Sequence, residues 1–168
     1  LGMLRDAQAS YDTAERLVGE GLEMHRRLAG PRDLTVASAT ASLGRVVEDR
    51  GDYARAIPLL EEGLRLLRAG GAAGPELRSA LTELANSEFY AGNYPRSDSL
   101  NRQVLALDRA AYGDRHPNVA DDLINLGAIQ SEGGHYADAE RFYREALGIT
   151  AGWYGPDHPE TESALTML

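Results

Sequence analysis

Residues 117–150 read PNVADDLINLGAIQSEGGHYADAERFYREALGIT, and this stretch decides the fold. Its first half carries Val119, Leu123, Leu126 and Ile129 at helical spacing, which makes one face of a helix apolar. Pro117 suits the first helical turn, where a missing N–H leaves no bond unmade. Gly133-Gly134 then stops the helix, because glycine adopts the left-handed cap conformation without a Cβ clash. The second half builds another stripe from Tyr136, Ala139, Phe142, Tyr143, Ala146 and Leu147. The stretch therefore reads as two helices joined by a tight glycine turn.

The same unit recurs along the chain. Tyr11, Tyr53, Tyr94 and Tyr136 are spaced 42, 41 and 42 residues apart. Leu22, Leu64, Leu105 and Leu147 follow them by eleven, and Leu1, Leu43, Leu84 and Leu126 precede them by ten, with Leu168 opening a fifth period. Ala14, Ala56, Ser97 and Ala139 stand three after each tyrosine. A single deletion keeps the register over the whole chain. Gly51-Asp52, Gly92-Asn93 and Gly134-His135 are equivalent turns, and Ala9-Ser10 takes that place in the first period.

With the first helix of each pair named A and the second B, helix A covers 34–50, 75–91 and 117–132. Helix B covers 11–28, 53–69, 94–111 and 136–151. Residues 1–7 read as the tail of one more helix A and 159–168 as the start of another. The expectation is an all-α chain of seven complete helices and two terminal stubs, one array over 1–168 cut from a longer one. Its parts are a partial repeat at 1–30, repeats at 31–70, 71–112 and 113–154, and the start of a further repeat at 155–168.

Composition narrows the function. At 168 residues, 26% charged and 43% hydrophobic, the chain has a globular and not a disordered make-up. It has no cysteine, which removes disulfides, thiolate zinc sites and cysteine nucleophiles. No apolar run approaches the ~18–20 residues that span a bilayer. A net charge of −9 argues against a nucleic-acid backbone or an anionic lipid surface as partner. All seventeen basic residues are arginine, and alanine is heavy, the mark of a GC-rich, bacterial genome. The chain opens on Leu1, so targeting signals cannot be judged from it, and the cytoplasm is the default expectation.

The pattern Leu126-Gly127, Gly134, Tyr136, Ala139, Tyr143, Ala146-Leu147 resembles the tetratricopeptide repeat (TPR). The 42-residue period and the linkers Tyr112-Gly113-Asp114-Arg115-His116-Pro117 and Tyr154-Gly155-Pro156-Asp157-His158-Pro159 are similar to the kinesin-light-chain class of that repeat. The ordinary repeat has ~34 residues. HEAT and armadillo arrays share a ~40–47-residue period but lack this glycine-tyrosine-alanine spacing. Three features depart from the pattern. Small residues AGGAAG at 69–74 replace the aromatic linker, Glu88 and Gln130 stand where helix A has an aromatic, and Asn101 stands where helix B is apolar.

The resemblance implies a right-handed superhelical solenoid of antiparallel helix pairs, whose concave wall holds extended peptides or partner helices. In that family helix A lines the concave wall. Its groove positions fall here on Ser38, Ser42, Arg45 and Asp49, on Ser79, Glu83, Asn86 and Tyr90, and on Asp121, Asn125, Ala128 and Glu132. Asn86 and Asn125 match positions where relatives clamp a peptide backbone with an amide, which carries both a donor and an acceptor. Relatives include bacterial signalling proteins, some with a serine/threonine kinase domain upstream. The expected role is a protein–protein interaction scaffold within such a protein, with self-association as the alternative. Open ends leave Leu165 and Leu168 uncovered, so end-to-end association is expected.

No chemistry competes with this. His116 and His158 each precede a proline one period apart, and packed helices ~8–10 Å apart cannot bring them to one metal ion. They are read as linker histidines that cap or pack, and His135 as a solvated turn tip. No G-x-S-x-G elbow or P-loop occurs. Asp121 and Asp122 point about 100° apart on a helix and read as a solvated face. The tyrosine series reads as core, packing helix B on the preceding helix A, and Trp153 as the exposed aromatic. Hence no enzyme activity, no cofactor and no metal are expected. Charge adds a last point: the A helices carry eleven acids against four arginines, while the B helices balance at eleven each. Partners should then be neutral or basic protein segments, not acidic tails.

Overall fold

A computed structural model describes residues 2–30 and 33–168, and every regular element in them is a helix. In chain order these are α1 (Gly2–Ala29), α2 (Leu34–Asp49), α3 (Tyr53–Ala69), α4 (Pro75–Tyr90), α5 (Tyr94–Tyr112), α6 (Pro117–Glu132), α7 (Tyr136–Tyr154) and α8 (Pro159–Thr166). They form two compact units, Leu1–Ala91 and Gly92–Leu168. Leu1 of the leucine series lies outside the described residues.

Each hairpin closes as the glycines require. Gly51, Gly92 and Gly134 have φ of 81°, 81° and 78°, the left-handed region where a Cβ would be strained. Ala9-Ser10 has no such residue, and there the expectation fails: α1 runs unbroken from Gly2 to Ala29. The tail of helix A and the first helix B are thus one helix, because nothing at 9–10 can take up the reversal. The count becomes eight helices among the described residues, in place of seven with two stubs.

In unit 1, α2 packs on α3, with α1 and α4 on either side. Close approach uses small residues. A Cβ at Gly44 would stand 2.8 Å from the Leu60 side chain, and one at Gly63 would stand 3.0 Å from Ala41. Val36, Val47, Leu60, Leu64, Leu67, Leu81 and Leu84 fill the interior. Arg50 of the α2–α3 turn pairs with Asp12 at 2.7 Å, and Arg55 pairs with Glu15, tying both to α1.

In unit 2, Leu105, Val119, Leu123, Leu126, Phe142, Ala146 and Ile149 form one core from α5, α6 and α7. Gly127 lies against the Tyr143 ring, so any side chain there would collide with it. The departures from the repeat pattern find local answers. Gln130 Nε2 donates to Asp98 Oδ1 at 2.7 Å, bridging α6 to α5 in place of an aromatic contact. Asn101 is buried and donates its amide to the Ser97 carbonyl at 3.1 Å.

Two other expectations change. The tyrosine series is not core: Tyr11 is 36% and Tyr136 70% exposed, and Tyr53 and Tyr94 are half-buried. Tyr53, Tyr94 and Tyr136 each open a helix, beyond the part of the pair that interdigitates. The Asp121-Asp122 pair divides: Asp121 is exposed, but Asp122 is buried at 2%, because a helical step of ~100° turns it into the packed face.

Candidate binding groove

Unit 1 holds two parallel-numbered A helices, α2 and α4, side by side. The apolar stripe of each faces α3, which leaves the opposite stripe outward. That outward stripe is Ser38, Ser42, Arg45 and Asp49 on α2 and Ser79, Glu83, Asn86 and Tyr90 on α4, all exposed or half-exposed. Ser38, Ser42, Arg45, Ser79 and Glu83 line one cavity of about 260 Å³. A second cavity of about 580 Å³ shares Ser38, Ser42, Leu67 and Glu76 with the first and continues it past Leu34, Ala39 and Ala72 to His25.

The charges in this groove are coupled. Burial pushes the Glu83 carboxyl up, the Arg45 guanidinium and the Ser79 hydroxyl oppose this, and Asp49 adds to it. The Ser79 hydroxyl donates to Glu83 Oε1 at 3.4 Å. Burial also raises the Glu48 carboxyl; the Ser87 hydroxyl opposes the rise, and Glu83 and Asp49 reinforce it. Acids thus outnumber the single arginine at the centre of the groove. At its far end Tyr90, 63% exposed, stacks on Tyr53 at 5.6 Å and 18°, with Phe89 edge-on to it at 5.4 Å.

In unit 2, Asp121, Asn125 and Glu132 lie on the exposed stripe of α6, with Ala128 half-buried among them. Glu132 is close enough to Tyr143 to raise its phenol, after burial, which is the larger cause. Seven expected groove residues therefore belong to unit 1 and three to unit 2. Four of the seven, Ser38, Ser42, Arg45 and Glu83, share a cavity.

The linkers differ between the units. His116 Nδ1 accepts the Asn118 N–H and His158 Nδ1 the Glu160 N–H, each at 3.2 Å, so both histidines cap a helix. Tyr112 stacks on His116 and Tyr154 on His158, both at 4.5 Å. Trp153, 56% exposed, meets His116 edge-on at 5.3 Å. The caps and the packing read from the sequence are both present. In unit 1, α4 starts instead at Gly74, φ 66°, with no side-chain cap. Sequence reasoning missed the wall of the larger cavity, Leu34, Leu67, Ala72 and Glu76. The signal was the AGGAAG stretch, which brings no ring to the ends of α1 and α3.

Among the described residues no group of three His, Asp or Glu side chains is placed to hold a metal ion. No described helix is long and apolar enough to cross a membrane. Three solved structures share the architecture. One is a kinesin-light-chain candidate from Podosopora anserina built of nearly identical TPR-like repeats, 18% identical, with a TM-score of 0.85 over 96% of this chain and 77% of that one. BtubC (BKLC) from P. vanneervenii is 20% identical, with a TM-score of 0.68 over 92% of this chain and 62% of that one. MamA is 18% identical, with a TM-score of 0.62 over 99% and 90%. No curated protein sequence matches significantly. The tetratricopeptide-repeat family model matches residues 1–69 and 76–152, so the chain belongs to the tetratricopeptide-repeat family.

Proposed function

We propose that this chain is a non-catalytic interaction scaffold of the cytoplasm. The outward A-helix stripe of unit 1 holds an extended peptide or partner segment, and the chain serves as a regulatory or recruitment module of a larger signalling protein. One observation carries the reading: Ser38, Ser42, Arg45 and Glu83, which occupy the family's groove positions, line a single cavity that opens into a larger one. Asp49, Asn86 and Tyr90 extend the surface along α2 and α4, and Asp121, Asn125 and Glu132 offer a like stripe on α6. The test is a displayed peptide pool panned on the chain and on Ser42→Trp, which fills the cavity mouth. Enriched peptides should lose binding to the variant while its far-UV spectrum stays native. Absence of enrichment, or enrichment that ignores the block, would reject the reading.

A second reading, self-association, has its own support. On α1, Leu17 is 54% and Met24 61% exposed. Residues at the same register in later B helices are buried: Leu100 at 7%, Phe142 at 6%, Leu66 at 3% and Ile149 at 8%. An apolar stripe of this kind is a docking face. Light scattering over a concentration range, with Leu17→Ser/Met24→Ser as control, separates this reading from peptide binding.

A further inference from the structure

The larger cavity in unit 1 and the acidic stretch beside it differ in chemistry and are continuous in space. The cavity is walled by Leu34, Ala39, Leu67 and Ala72, and Leu34 is 44% exposed. Glu76 lies at its junction with the smaller cavity, and Glu83 lines the smaller one beside Arg45. Asp49 and Glu48 act on Glu83 or are acted on by it. Four carboxylates therefore stand against one guanidinium along this path. An apolar seat next to a surplus of negative charge selects a ligand with two unlike anchors.

Resting on the scaffold reading above, we infer that the unit 1 groove takes an extended segment with an aliphatic side chain in the Leu34–Leu67–Ala72 cavity and an arginine or lysine against Glu83 and Asp49. The spacing follows from the helix. Ser38, at the junction of the cavities, is seven residues from Arg45 and eleven from Asp49 along α2. At ~1.5 Å per residue this is roughly 10 to 16 Å. An extended chain covers that span in about three to five residues. The raised Glu83 and Glu48 carboxyls fit the reading, since partly buried carboxylates short of positive charge gain most from a bound cation. Arg45 does not cancel the preference, because it is one cation among these acids. Its own pairing with Glu83 leaves Asp49, Glu48 and Glu76 to attract the ligand.

The experiment uses the 168-residue chain and short labelled peptides in a serine-alanine background, read by fluorescence anisotropy. One peptide carries Leu and Arg about four positions apart. The others replace Arg by Glu, replace Leu by Ser, or reverse the spacing to adjacent positions. The Leu–Arg peptide should bind about ten-fold more tightly than each of the others. Glu83→Gln with Asp49→Asn should abolish the Arg advantage and leave the Leu advantage. Ala72→Phe, in the linker, should do the reverse by filling the apolar seat. Equal or better binding of the Leu–Glu peptide overturns the inference, as does indifference to both variants. If the panned pool yields peptides of other chemistry that Ser42→Trp blocks, this inference falls and the scaffold reading stands. If nothing binds, both fall.

Discussion

The linkers of the two units make the same connection, helix B to the next helix A, by different means. In unit 2 the four residues after Tyr112 turn on Gly113, φ 83°, and end on a histidine that caps α6 while its ring lies on Tyr112. The link after Tyr154 repeats this with Gly155, φ 97°, and His158. In unit 1, residues 70–74 turn on Gly71 and Gly74, φ 73° and 66°, and offer neither cap nor ring. The closed linkers spend their side chains on each other. The open one leaves Leu34 and Leu67 bordering a cavity of about 580 Å³. One repeat pattern thus yields a fastened joint or a vacant seat, depending on whether an aromatic–histidine pair is present.

The sharpest break of this contrast is to unfasten a closed linker. His116→Ala removes an N-cap acceptor and two ring contacts together. A lost cap costs about 1 kcal/mol and a lost ring pair roughly 0.5–1.5 kcal/mol more. Unit 2 should therefore lose about 2 kcal/mol, read as a lower urea midpoint from Trp153 fluorescence. His116→Asn keeps a cap acceptor without the stack and should recover about half. Equal losses for both substitutions would assign the whole effect to the ring.

Most of the architecture could be read from the chain, because the repeat register ties each apolar stripe to a known partner face. Caps at Asp33, His116 and His158 and turns at Gly51, Gly92 and Gly134 fall where residue chemistry demands them. Ala9-Ser10 misled because register was used where stereochemistry had to decide: without a glycine the helix runs on. The tyrosine series misled for a related reason. A 42-residue spacing says that positions are equivalent, not that they are buried. Asp122 looked solvated beside Asp121 because a dipeptide on a helix has two faces. The groove's polar stripe was legible from the family pattern, but its deepest part was not. Leu34, Leu67 and Ala72 define that part by what the 69–74 linker lacks, and a missing side chain leaves no motif.

A milder way to test the contrast leaves the sequence alone. Backbone amides exchange with solvent according to how often their local structure opens. The linker at 70–74 has glycines free of side-chain anchors, whereas 113–116 is held by the His116 cap and stack. If the fastening holds back opening by about 1 kcal/mol, amides of 70–74 should exchange roughly five-fold faster relative to their intrinsic rates. Slower exchange in unit 1 would mean that Gly70–Gly74 is fixed by contacts other than a cap and ring.

The smallest expected effect concerns acid, and its sign separates the groove from the rest of the surface. Glu83 and Glu48 have folded-state values raised above the ordinary glutamate value of 4.5, chiefly by burial. A carboxyl with a raised folded value binds its proton more readily in the folded protein. Lowering pH through that value therefore adds stability, and the gain is complete once pH reaches the unfolded value near 4.5. Asp33 and Glu62 are shifted the other way by their hydrogen bonds to Thr35 and Arg65. Their contribution is present above the ordinary values of 3.8 and 4.5 and disappears only below them. The two windows do not coincide. Just above 4.5 the groove glutamates should act alone and unit 1 should gain slightly on acidification. Glu83→Gln has no charge to lose, so it should be more stable than the native chain at neutral pH and should flatten the gain. The measurement is the urea midpoint of both proteins at pH 7 and near pH 5. If the midpoint of the native chain falls over that interval, or the Gln variant falls in parallel with it, the groove carboxylates are solvated too well to resist ionisation, and the attraction of the groove for a basic side chain is correspondingly weak.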